Sequence, residues 1–226
     1  AEDFVKEVPE KLPFMATSCC PAWSVMAKKL FPEQANSISM ALTPMTLTAR
    51  LIKHHQPGAK VAFIGPCAAK KLEAMRRTVR SEVDFVLTFE EMAGIFEARH
   101  IDVNTLKEDP HGVNDASADG RNFAVSGGVA QAVVNVIKEK YPDREIKVAN
   151  AEGLSECRKL MMMAKAGKYN GYLLEGMACP GGCVAGAGTM QSIKKSSVAV
   201  NMYAKQAEHQ VATGTHHVAE LDKLVD

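Results

Sequence analysis

No run of apolar residues in this 226-residue sequence approaches the roughly 18 that a bilayer span requires, and the N-terminal AEDFVKEVPEK is charged rather than signal-like. The expectation is a soluble chain, and a first residue of Ala1 rather than Met suggests a processed or truncated polypeptide. An excess of either charge is also missing. With 27 Lys+Arg against 26 Asp+Glu the formal charge is +1, so no global field favours nucleic acid or an anionic membrane surface. Cysteine is scarce: six in the whole chain are too few for a disulfide scaffold of this length. Internal repeats and low-complexity tracts are absent. What remains, 46% hydrophobic and 23% charged, is a chain able to bury a sizeable core, which leaves out disorder, collagen and coiled coil.

Along the chain, WSVMAKKLF (Trp23–Phe31) reads as a helix stopped by Pro32, and Thr43-Pro44 opens another that runs through Leu51 and Ile52 to Gln56-Pro57-Gly58. Val61–Ile64 and Asp84–Leu87 are short apolar runs of the buried-strand kind. Thr88-Phe89-Glu90-Glu91 is a capping box for a helix carrying Met92, Ile95 and Phe96. From His100 to Gly120 the composition turns polar, which marks a long loop or lobe boundary. Phe123–Val125 reads as a short strand, and Ser126-Gly127-Gly128 opens a helix to Lys140. Glu145–Ala149 is a strand, Leu154–Ala166 a helix, and Gly171–Leu174 a last strand, before helices rich in Ala, Gln and Lys. Strands and helices alternate, so the expected class is α/β, with two lobes of parallel-sheet βα units.

Five of the six cysteines stand within two residues of a proline or glycine. They fall in three segments: TSCCPAW (17–23), GPCAAKKLE (65–73) and GMACPGGC (176–183). Turns let separated thiolates converge on one soft metal centre, and ligands in parallel α/β sheets bind beyond the carboxyl ends of strands, where Cys67, Cys179 and Cys183 fall. Structural zinc also accepts four thiolates. Its usual close pairs contrast with Cys67 standing 47 positions after Cys20 and Cys179 standing 112 after Cys67. Adjacent side chains diverge, so one of Cys19 and Cys20 is left as a free thiol and a candidate acid/base. Cys157 lies in a helical pattern and reads as a small buried hydrophobe. Lys70 and Glu73 are spaced i, i+3; on spacing alone a solvated helix start is favoured. His54-His55 and His216-His217 read as exposed helix ends, and Met161-Met162-Met163 as core filler.

Together, TSCCPAW, PCAAKKLE and EGMACPGGCVAGAG (175–188) resemble the three signature segments of the catalytic H-cluster domain of the [FeFe]-hydrogenases, in the family's order. LPFMATSCC, FPEQANSIS (31–39) and DASADGRNFAVSGGVAQAV (115–133) are weakly similar as well, so the resemblance covers nearly the whole chain and is weakest after Met190.

The resemblance implies a single H-cluster-type domain over 1–226 with its lobe boundary near 100–120 and the metal cluster in the cleft between the lobes. It implies reversible reduction of protons to H2 on a [4Fe-4S] cubane joined to a binuclear iron subsite carrying CO, CN and a bridging dithiolate. The implied cubane ligands are Cys20, Cys67, Cys179 and Cys183, with Cys183 also bridging to the subsite and Pro66 beside the cofactor. Cys19 would be the proton-donating thiol, Lys70 would hydrogen-bond a cyanide, and Met177 would pack near a bridging carbonyl. Ser39 and Glu2 would continue the proton path, the family's other glutamate falling before Ala1. Gly65 departs from a methionine common in the most active members. The family's domain normally starts upstream of Ala1, so a second chain completing the site is one expectation. Six cysteines leave none for accessory clusters, so electrons would come from a ferredoxin-like partner domain or subunit. The expected compartment is cytoplasmic, a periplasmic one remaining open. The alternatives are a hydrogenase-like sensor with low turnover and a non-catalytic iron–sulfur assembly protein, whose relatives keep the cubane cysteines but lose the neighbouring thiol and the lysine.

Overall fold

Neighbouring residues of a strand point to opposite faces of a sheet, and Leu173 and Leu174 accordingly enter two separate buried clusters. The computed structural model describes residues 1–107 and 115–221. Its helices are α1 (Glu2–Glu7), α2 (Pro21–Leu30), α3 (Pro44–His55), α4 (Ala69–Met75), α5 (Phe89–Ala98), α6 (Ala118–Asn122), α7 (Gly128–Lys140), α8 (Leu154–Lys165), α9 (Ile193–Lys205) and α10 (Val218–Leu221). Its strands are β1 (Met15–Ala16), β2 (Ala62–Ile64), β3 (Phe85–Leu87), β4 (Lys147–Glu152) and β5 (Tyr172–Met177).

The larger sheet has the order β1-β5-β4, with both pairs parallel. On one face Leu174 meets Phe14, Trp23, Ile38, Leu160 and Met161; on the other, Leu173 meets Phe4, Val8, Met15, Ala130 and Ile137. Helices thus cover both faces, as a parallel sheet requires. Trp23, fully buried, donates its indole N–H to the Thr17 carbonyl at 3.0 Å and so fixes the turn after β1. The second sheet is the parallel pair β2-β3, in which the Asp84 carboxylate accepts the Val61 N–H at 2.9 Å and pairs with Lys53 and Lys60, each at 3.0 Å. The fold is α/β with parallel sheets, as expected.

Local sequence accounts for several helix starts. Pro21 and Pro44 occupy first-turn positions, Thr43 caps α3, and the box of Thr88 and Glu91 caps α5. Three details differ from expectation. Residues 123–125 form turns rather than a strand: Phe123 N–H bonds Gly120 O and Val125 N–H bonds Asn122 O, so the backbone groups a ladder would need are used locally. The strands expected at 145–149 and 171–174 extend to Glu152 and Met177, because parallel pairing continues in register from Lys147–Tyr172 to Glu152–Met177. And β1, from the start of the chain, joins the late strands, so the grouping of elements on either side of 100–120 is crossed. Within that polar stretch, 108–114 lie outside the described residues.

Candidate metal centre

Each cysteine segment leaves the carboxyl end of a strand. Cys19 and Cys20 follow β1 and precede Pro21; Cys67 follows β2 and its sulfur accepts the Lys70 and Ala69 N–H groups at the start of α4; Cys179 and Cys183 follow β5. The third segment is tied to the turn before α7 and to the turn after β2. Ser126 N–H bonds Gly181 O (3.1 Å) and Val184 N–H bonds Ala124 O (3.1 Å) on one side, and Gly188 N–H bonds Pro66 O (2.9 Å) on the other. Two glycines permit this approach: a Cβ at Gly182, whose φ is +94°, would lie 2.6 Å from Ser126 N, and one at Gly186 would lie 2.3 Å from Pro66 O.

The result is one cavity lined by Cys19, Cys20, Cys67, Cys179 and Cys183 with Lys70 and Met177. All five thiols are free. Burial pushes the Cys183 thiol up to about 12 and raises Cys67 and Cys179; Cys20 and its neighbours add repulsion to each. Four mutually close thiols with no carboxylate among the lining residues fit a soft, thiolate-ligated iron–sulfur cluster. Cys19 is not at its ordinary value: burial, with Glu175 next in weight, pushes it up to about 12, so it carries its proton at neutrality. It also lines a second, largely apolar cavity of about 350 Å³ together with Thr17, Ser39, Phe4, Leu47 and Val129. Glu2 lies apart from that wall, exposed, with Lys140 at 2.7 Å.

Lys70 is buried, not a solvated helix start. Its ammonium is 2.7 Å from Glu73 Oε2 and 3.4 Å from the Cys19 carbonyl. Glu73 in turn accepts the Thr43 hydroxyl at 2.6 Å and the Thr46 hydroxyl at 3.4 Å. Those two threonines read in the sequence only as a helix start. Glu175 also escaped sequence reasoning: fully buried, it accepts Gly127 and Ala130 N–H groups at 2.6 Å each and clamps α7 to the strand that delivers the third segment. Its glutamate sits in an apolar strand, and only the glycine-opened helix upstream hinted at a capping partner. Cys157 is buried in the Trp23 cluster, as expected, with its thiol toward the Met177 carbonyl at 3.5 Å. At Gly65 a Cβ would meet the Phe63 ring at 2.9 Å, so that ring occupies the space.

The family model for the iron-only hydrogenase large subunit, C-terminal domain, matches residues 1–187. The chain belongs to this family. It is 30% identical over 215 residues to the periplasmic [Fe] hydrogenase large subunit of Nitratidesulfovibrio vulgaris, covering 76% of this chain and 50% of that one. It is 25% identical over 273 residues to iron hydrogenase 1 of Clostridium pasteurianum, covering 99% and 47%. The chain thus spans about half the length of these curated relatives. Among solved structures, an apo [FeFe]-hydrogenase variant from Chlamydomonas reinhardtii superposes with a TM-score of 0.76 at 22% identity, covering 99% of this chain and 75% of that one. The hydrogenase-family chain is also similar to the nuclear prelamin A recognition factor of Homo sapiens (26% over 221 residues, 79% and 48%) and to a probable cytosolic Fe-S cluster assembly factor of Drosophila virilis (28% over 224 residues, 76% and 46%). Among the described residues no helix is long and apolar enough to cross a membrane.

Proposed function

We propose that this chain is the catalytic domain of an [FeFe]-hydrogenase, interconverting protons and electrons with dihydrogen. Cys20, Cys67, Cys179 and Cys183 would hold a [4Fe-4S] cubane, and Cys183 would join it to a binuclear iron subsite bearing CO, CN and a bridging dithiolate. Bound there, the cluster would supply the redox centre at which protons are reduced. The observation that carries the reading is that Cys19 lines both the thiol cavity and the apolar cavity beside it.

In this account Cys19 holds a proton at Sγ on the boundary between the cavities. Ser39, on the wall of the second cavity, offers the next hydroxyl; Glu2, expected to continue the path, stands apart from that wall with Lys140 beside it and would be reached only through solvent. Lys70 presents its ammonium to an anionic ligand, where a charge-assisted hydrogen bond contributes about 1.5–3 kcal/mol. Glu73 fixes that ammonium, Met177 closes the apolar wall, and Pro66 anchors the Cys67 turn through its carbonyl. Electrons would arrive from a ferredoxin-like domain or subunit, a second chain would complete the domain, and the compartment would be the cytoplasm or, as for the Nitratidesulfovibrio relative, the periplasm.

A low-turnover sensor is the second reading, favoured by one feature: the Phe63 ring fills the space beside Gly65. The similarity to an assembly factor supports a third, against which stand the buried Lys70 and the retained Cys19. Hydrogen evolution from the cluster-loaded chain with a reduced viologen donor separates them. Sustained turnover supports the enzyme; loaded protein with no turnover in either direction overturns it.

A further inference from the structure

Beyond the family match, the described residues 188–221 are held to the rest of the molecule by a separate set of contacts. Ala118 and Asp119 N–H groups bond His209 and Gln210 carbonyls at 2.8 and 3.1 Å, Thr213 donates to Glu139 at 2.5 Å, and His55 meets Glu220 at 2.8 Å. Near the end of this segment, His216 and His217 stand side by side just before α10. Their rings lie 4.0 Å apart, and their Nε2 atoms are 3.6 and 2.6 Å from one oxygen, Asp115 Oδ2.

We propose that Asp115, His216 and His217 form a surface site for a borderline divalent cation such as Zn2+, which fastens the C-terminal segment to the start of α6. Two neutral imidazoles and a carboxylate are a donor set suited to zinc, nickel or cobalt rather than to the hard cations calcium and magnesium. The three ligand atoms all lie within 4.8 Å of one another. Tetrahedral coordination at ordinary bond lengths places ligand atoms about 3.4 Å apart, so the 3.6 Å pair already fits and the 2.6 Å hydrogen bond must open by under about 1 Å. A single histidine would be enough for an ion pair with Asp115. The second imidazole, tilted 41° against the first with its Nε2 facing the same oxygen, gives the shared centre. The side chains are 39%, 71% and 50% exposed, in the order Asp115, His216, His217, which leaves room for water to complete the coordination.

The proposed site contains no sulfur, which separates it from the cysteine cavity. Co2+ bound by thiolates shows intense sulfur-to-metal charge transfer, whereas a nitrogen and oxygen set shows ligand-field bands alone. Titrating the full chain with Co2+ should therefore give an equivalent with visible ligand-field absorption and no charge transfer. In His217→Ala its affinity should fall about 10-fold or more, and in the His216→Ala/His217→Ala double variant it should vanish while circular dichroism is unchanged. Hydrogen exchange over residues 209–221 should slow when Zn2+ is added to the parent and stay unchanged in the double variant. Cobalt bound only with charge transfer, or an equivalent that survives in the double variant, would overturn the proposal.

Discussion

The Lys70 ammonium sits 2.7 Å from the Glu73 carboxylate with both residues more than nine-tenths buried, one helical turn into the segment that carries Cys67. Removing one partner of such a pair leaves a buried charge and costs about 3–5 kcal/mol, whereas replacing both by apolar groups is often neutral. Glu73→Gln should therefore lower the unfolding free energy by about 3 kcal/mol, and Lys70→Met/Glu73→Leu should recover most of it. Denaturant unfolding of the three proteins checks this; a Glu73→Gln midpoint equal to the parent's would contradict it.

Cys19→Ala should leave the iron content of the loaded protein unchanged and lower hydrogen turnover by orders of magnitude. Cys19→Asp, which restores an ionisable group on the wall shared by the two cavities, should regain part of it. An alanine variant as active as the parent would show that protons travel another way.

Gly182→Ala should weaken the third cysteine segment. The glycine's φ of +94° and ψ of −158° fall in a region essentially reserved for glycine, where another residue costs about 1–3 kcal/mol, and the new Cβ would press on Ser126 N and Ala124 O at 2.6 and 2.8 Å. The expected result is a lower melting temperature and reduced iron retention. Parental values of both would mean the turn relaxes freely.

How much of this was legible beforehand depended on whether a feature was local. The Thr88–Glu91 capping box, the Pro21 and Pro44 helix starts and the positions of β2 and β3 were readable because their determinants lie within a few residues; the burial expected of those two strands was not met, since Ile64 and Phe85 stand exposed on a two-stranded sheet. The strand β1 was not readable, since Met15–Ala16 is too short to show alternation and is defined only by its pairing with Leu173–Leu174. All three cysteine segments were readable as turns, and two of them, carrying Cys67 and Cys179 with Cys183, as turns at strand ends. The burial of Lys70 was not, because i, i+3 spacing is the same on a wet helix face and a dry one, and Thr43 and Thr46 lie 30 and 27 positions from Glu73. The same holds for Asp115 and His217, 102 positions apart.

Asp84 makes the β2-β3 sheet acid-sensitive. The Val61 N–H, then Lys53 and Lys60, hold its carboxyl well below the usual carboxylate range. Its folded value is thus depressed. The stabilisation is complete above the unfolded value near about 4 and is lost as pH falls toward the folded value. Asp84→Asn should lower stability at neutral pH and flatten its decline in acid. Thermal unfolding of both proteins across that range checks this, and parallel acid limbs would contradict it.

The most direct test of the account is the infrared spectrum of the chain after its cubane has been assembled and the binuclear iron precursor supplied. The account predicts stretching bands from iron-bound CO and CN in the parent, and their loss in Cys183→Ala. A chain that carries its cubane in full yet shows no such bands after maturation would contradict the hydrogenase assignment.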